Sequence, residues 1–267
     1  MDRSRRQSGA GFTLVEVLVV VGIMGILAGL LFPVFRGARS AALLASCRSR
    51  LRQWGVAFDL YALQNDGLFP HTDGLDRDNG PPDRYGWVDV LPPLMDETPW
   101  REHARGEYPG PDTIFQCPAA ALGSEEAYSY RPRRNGYFSY AMNSCLELDH
   151  NCWRAPGDAG VPMPSFLQRN KIVNPSRVIL LFDQLLDSGR AYGDTGSYRS
   201  AGKHCGSYPK AFAARHAVSS SQLGGCILFC DFHVEWRASV WKPDWPPDLE
   251  VPPRDDPDWF PYPPNDG

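Results

Sequence analysis

A chain of 267 residues, 43% hydrophobic and 22% charged, holds enough apolar material for one good-sized globular domain or two small ones. Its net charge of -4 becomes more negative once the arginine-bearing first eleven residues are set aside, which disfavours a nucleic-acid partner needing a basic face. With 25 prolines and 25 glycines, a plain helix bundle is excluded and many turns and irregular connections are expected.

The chain opens on a basic stretch, with Arg3, Arg5 and Arg6 against Asp2. Residues Phe12 to Phe35 follow as an apolar run whose one charge is Glu16. As a helix this run is about 36 Å long, enough to cross a bilayer core. The basic flank predicts that the N-terminus stays cytoplasmic and that everything after the run is exported. An ordinary signal peptide is too short to account for the run, and the sequence continues as helix beyond it. A plain anchor accounts for length and orientation but leaves Glu16 unexplained, since a carboxylate costs roughly 2.5–3.5 kcal/mol at mid-bilayer.

Gly11-Phe12-Thr13-Leu14-Val15-Glu16 resembles the cleavage motif of type IV prepilins. The resemblance implies cleavage between Gly11 and Phe12 by a prepilin peptidase and methylation of the new Phe12 amine. It makes Glu16 the retained glutamate of the mature helix and Pro33 its helix-bending proline. Physically, a Glu16 carboxylate in an apolar filament core neutralises the cationic Phe12 amine of a neighbouring subunit, where the pair is poorly screened. The partners implied are the peptidase, other pilin or pseudopilin subunits, an inner-membrane assembly platform and membrane lipid.

Helix is expected to continue to about Asn65, because Ala38, Ala41, Ala42, Leu44 and Ala45 favour it. Leu51, Trp54, Phe58, Tyr61 and Leu63 form the stripe expected to pack on a sheet, and Asn65-Asp66-Gly67 reads as the stop. Residues 66–112 read as a long irregular connection, with a short helix around Val88–Leu94. Strands are predicted at Thr113–Cys117, Tyr137–Met142, Arg177–Asp183, Gly225–Cys230 and His233–Arg237. Arg177–Asp183, nearly continuously apolar, reads as a central strand, and the last two strands read as a hairpin turning at Asp231-Phe232. The proline-rich tail from Trp241 is expected to be extended or disordered.

A second resemblance covers the head. Leu51–Gly55 through Gly67–Pro70, Phe115-Gln-Cys-Pro118, Ser139–Asn143, Pro175–Asp183, and His216 with Leu228–Val234 are similar to a subgroup of prepilin-like proteins named for an H-x9-DG motif. Here fourteen residues separate His216 from Asp231, and Phe232 stands in place of the glycine. Phenylalanine resists the positive φ that such a glycine supplies, so a different turn is expected.

Seven cysteines leave at least one unpaired within the chain. Cys145 and Cys152 could bridge a short loop, and Cys47, on the helix, is the candidate free thiol. His204, Cys205, His216, Cys226, Cys230, Asp231 and His233 invite a zinc reading, but Cys230 and His233 fall on opposite faces of a regular hairpin. The Asp73–Asp83 loop offers oxygens for calcium but lacks an EF-hand pattern. No cofactor or metal is therefore expected. Ser219-Ser220-Ser221 near His216 lacks a nucleophile elbow, and no Walker motif occurs, so no catalytic residues are assigned.

The resulting expectation is an α+β, pilin-like fold: one long N-terminal helix packed on an antiparallel sheet with long irregular loops. It comprises a leader (1–11), a transmembrane or filament-core segment (12–35), a head (36–240) and a tail (241–267). The expected role is a non-enzymatic, minor subunit of a type IV pilus or type II secretion pseudopilus. The alternative is an extracytoplasmic binding or enzymatic head that uses the helix only as a tether.

Overall fold

The computed structural model describes residues 13–71, 86–102, 113–120, 138–143, 146, 167–184, 205–206, 212, 215–219 and 222–238. The leader, Phe12, the Asp73–Asp83 loop, Cys145, Cys152, His204 and the tail lie outside the described residues. Two compact units divide the chain between Ala42 and Leu43.

Helix α1 runs from Leu14 to Gln64. In the first unit its apolar side chains, from Leu14 to Phe35, are all exposed. The helix continues through Pro33, which has no N–H to offer the preceding turn. It ends as the sequence predicts: the Gly67 N–H donates to Ala62 O at 2.8 Å, with Asp66 left-handed at φ 53°. This is a Schellman stop in which Asp66 and the following Gly67, at φ 78°, are both left-handed. The Asn65 side chain donates to Tyr61 O at 2.8 Å and caps a further carbonyl.

In the second unit α1 buries Cys47, Leu51, Trp54, Ala57, Phe58 and Ala62, a stripe at helical spacing. Leu63, expected in that stripe, is instead exposed, because it falls on the same outward face as Val56 and Leu60. The Trp54 ring meets Trp87 edge-on at 4.9 Å and Phe115 at 5.9 Å, while Phe58 meets Phe69 at 5.8 Å. The long connection thus supplies aromatic packing. Within it lie a short helix α2 (Trp87–Val90) and a 3-10 turn over Pro92–Met95, where one short helix was expected.

The sheet contains β1 (Tyr140–Asn143), β2 (Ile179–Asp183), β3 (Cys205–Gly206), β4 (His216–Ser219), β5 (Gln222–Phe229) and β6 (Val234–Ala238). The strand order is β3-β1-β2-β5-β4, with β6 also paired to β5. All pairings are antiparallel except the two-residue parallel contact of β3 with β1. Every residue of β2 is buried, as its apolar run implies, since a second cluster covers the other face: Ala141, Ile179, Phe182, Phe212, Ile227 and Phe229.

Two expectations are corrected. Thr113–Cys117 forms turns, not a strand. Its carbonyls are claimed by the helix: Arg50 donates to Thr113 O and Gln116 O, and Trp54 Nε1 donates to Ile114 O. Side chains have taken the acceptors that a strand would offer to a neighbour. Phe232 does adopt the conformation reserved for glycine, at φ 72°. A left-handed residue of this kind costs roughly 1–2 kcal/mol. That cost is offset by packing, with the ring against Phe69 at 6.0 Å and under the Arg169 guanidinium at 4.6 Å.

Gly224 marks the tightest approach in the sheet: a Cβ there would sit 2.0 Å from Arg237 O and 2.6 Å from the Trp236 ring. Gly224→Ala must displace β6 backbone, and should lower stability by about 3 kcal/mol, seen as a lower urea midpoint for unfolding of the head.

Candidate functional site

The start of α1 is built by a reciprocal pair. The Thr13 N–H and Thr13 Oγ1 both donate to Glu16 Oε2 at 2.8 Å, and the Glu16 N–H donates to Thr13 Oγ1 at 3.3 Å. This is a capping box, with threonine at the cap and glutamate three residues on, satisfying two amides that the first helical turn leaves open. In the isolated chain Glu16 therefore already has a structural partner, which the sequence reading did not foresee. Gly11 and Phe12 lie outside the described residues. Downstream, the helix presents apolar side chains all round, with Glu16 its one charge as far as Phe35. By length and composition this helix can cross a membrane.

In the head, the two motif residues are not brought together. Asp231 sits in the exposed β5–β6 turn, where its Oδ1 lies 2.5 Å from His233 Nδ1. His216 is buried, only 2% exposed, and faces a different set of groups. Its Nε2 lies 3.2 Å from Cys117 Sγ and 3.4 Å from Asp183 Oδ2. Cys47, the candidate free thiol, is also buried there, with its sulfur 3.4 Å from Asp183 Oδ2. Four potential ligand atoms, from Cys47, Cys117, Asp183 and His216, thus lie within 4.8 Å of one another. Cys226 and Cys230 are buried and unbridged.

Each member comes from a separate element: α1, the 113–120 turns, the end of β2 and the start of β4. Burial pushes both thiols well up. Burial also opposes the His216 imidazolium, but hydrogen bonds to Asp183 and Cys117 and the charge of the carboxylate lift it to about 9. Asp183 is held low despite its burial, by hydrogen bonding to His216, the charge of Arg215 and the Cys226 amide. The sequence reading considered zinc on another residue set, sharing only His216. Separations of 136 residues between Cys47 and Asp183, and 99 between Cys117 and His216, hid the true cluster from any spacing rule.

An apolar helix that continues into the spine of an α+β head defines a prepilin-type, pilin-like chain. Comparison with known proteins agrees. Residues 6–32 match the family described as Prokaryotic N-terminal methylation motif. Type II secretion system core protein G of Klebsiella michiganensis is 38% identical over 106 residues, 36% of this chain and 71% of that protein. The protein of the same name from Pseudomonas aeruginosa is 31% identical over 87 residues, covering 31% of this chain and 61% of that protein. That from Aeromonas hydrophila is 43% identical over 75 residues, covering 28% of this chain and half of that protein. The chain belongs to the family of type II secretion system core protein G, the pseudopilins. No solved structure matches it.

Thr13→Ala removes one half of the capping box. Loss of such a cap costs about 1 kcal/mol, so amide hydrogen exchange over Leu14–Val17 in detergent should accelerate about fivefold, leaving the Leu51–Phe58 amides unchanged.

Proposed function

We propose that the protein is a subunit of a type II secretion pseudopilus, anchored in the inner membrane with its N-terminus cytoplasmic and its head exported. It acts by assembly rather than by catalysis. A prepilin peptidase cuts between Gly11 and Phe12 and methylates the Phe12 amine. The observation that carries this reading is the placement of Glu16: one carboxylate, at the first turn of a helix whose next nineteen residues are apolar and exposed.

Assembly buries that apolar surface against neighbouring subunits, and the hydrophobic effect drives it. It also buries Glu16. At an effective dielectric near 20, a carboxylate and an amine about 4 Å apart attract by about 4 kcal/mol, so the Phe12 amine of the adjoining subunit is the favoured neighbour. The pairing selects an axial stagger of one subunit on the next, because only one offset places amine against acid.

The subunit is minor in this reading. The alignment that covers 36% of this chain covers 71% of the Klebsiella protein, so this chain is about twice as long. Head bulk of that order opposes the close stacking required of every subunit in a filament.

Mass spectrometry of protein from a host with the peptidase should find N-methylated Phe12 at the terminus. Glu16→Leu should leave membrane insertion intact and abolish co-purification with pseudopilus subunits. An uncut chain, or full function in the Glu16→Leu variant, would instead favour a tethered binding head.

A further inference from the structure

We propose that Cys47, Cys117, Asp183 and His216 form a closed, structural zinc site that ties the head half of α1 to the sheet.

Zinc bonds sulfur at about 2.3 Å and nitrogen or oxygen at about 2.0 Å, so ligand atoms around a tetrahedral ion lie roughly 3.3–3.8 Å apart. The separations here are 3.2 Å for Cys117 Sγ to His216 Nε2, and 3.4 Å both for Cys47 Sγ to Asp183 Oδ2 and for His216 Nε2 to Asp183 Oδ2. These three match tetrahedral edges, and the other three separations lie within 4.8 Å, so an inward adjustment of the ligands admits the ion. The His216 Nε2 to Asp183 Oδ2 separation is also long for a hydrogen bond between nitrogen and a carboxylate oxygen. Asp183 Oδ1 is buried with no hydrogen-bond partner among the described residues, an unexplained feature for a carboxylate in a core.

The chemistry of the donors selects the metal. Two thiolates, an imidazole and a carboxylate suit zinc, and four protein ligands with no open position make a structural rather than a catalytic site. All four residues are buried, from 0% to 2% exposed. Charge closes as well. Two thiolates and one carboxylate leave a zinc complex with a single negative charge, and the half-buried Arg215 guanidinium, which interacts with Asp183, Cys117 and Cys47, neutralises it.

Outer groups orient the ligands. Tyr140 Oη donates to Cys47 Sγ at 3.4 Å, and the Cys226 N–H donates to Asp183 Oδ2 at 2.9 Å. Trp236 Nε1 donates to His216 O at 3.1 Å, fixing the ligand's backbone. Such second contacts accompany built metal sites. Cys226, whose sulfur lies beside Cys47, is the nearest competitor for a coordination position.

The site does not depend on N-terminal processing, and its test is separate from that of assembly. The full chain, purified in detergent without reductant or chelator, should carry one zinc ion per chain by elemental analysis. Its X-ray absorption should show two sulfurs at about 2.3 Å and two lighter ligands at about 2.0 Å. Cys47→Ser and Cys117→Ser should each lower the zinc content at least tenfold, whereas Cys226→Ser should retain it. Should the serine variants fail to fold, Co2+ added to the chelator-stripped, reduced wild-type chain should give the visible bands of a tetrahedral ion with thiolate charge transfer. A Cys47–Cys117 disulfide in the isolated chain, three sulfurs around zinc, unchanged zinc in Cys117→Ser, or no uptake of Zn2+ and Co2+ would each overturn the site.

Discussion

One helix face holds the head together. Leu51, Trp54 and Phe58 of α1 are fully buried, and each such side chain contributes about 1.5–3 kcal/mol relative to exposure. The approach of helix to sheet is set by a glycine on that face: a Cβ on Gly55 would lie 3.1 Å from Leu228 and 3.4 Å from the Phe232 Cβ. Because the helix comes this close, its side chains reach the backbone of the 113–120 turns and hold Ile114, Phe115 and Cys117 in the core. The same contact carries Cys47 to Asp183.

The two ends of α1 solve opposite problems with one regular element. Its N-terminal half is apolar on every side, which is stable only in lipid or among like helices. Its C-terminal half is one-sided, with Val56, Leu60 and Leu63 outside and the aromatic stripe inside. A helix satisfies its own backbone in either solvent, so no break is needed between the two. Its termini carry the remaining requirement, met by Thr13 and Glu16 at one end and by Asn65, Asp66 and Gly67 at the other.

The interior of the head is not wholly apolar. Asp183 ends the most buried strand, and His216 opens another. Buried polar groups cost stability unless they find partners, and here the partners come from four segments far apart in the chain. Such a cluster forms only when helix, turns and sheet are all in register, so it favours one packing over slipped alternatives.

Much was legible in the sequence because it depends on neighbours along the chain. Hydrophobic length identified a helix able to cross a membrane, helical spacing identified Leu51, Trp54 and Phe58, and an unbroken apolar run identified β2. The stop at Asn65-Asp66-Gly67 followed from local backbone preference, and the strand-like runs on either side of Asp231-Phe232 located the β5–β6 hairpin. What stayed hidden depends on groups distant in sequence. Thr113–Cys117 has strand composition, yet loses its acceptors to Arg50 and Trp54. Phe232 defies its own backbone preference because Phe69 and Arg169 hold its ring. Local pattern determined that this chain has a membrane-compatible helix and an α+β head. Only tertiary packing decided which thiols, carboxylate and imidazole meet, because no periodicity along the chain encodes contacts across 99 or 136 residues.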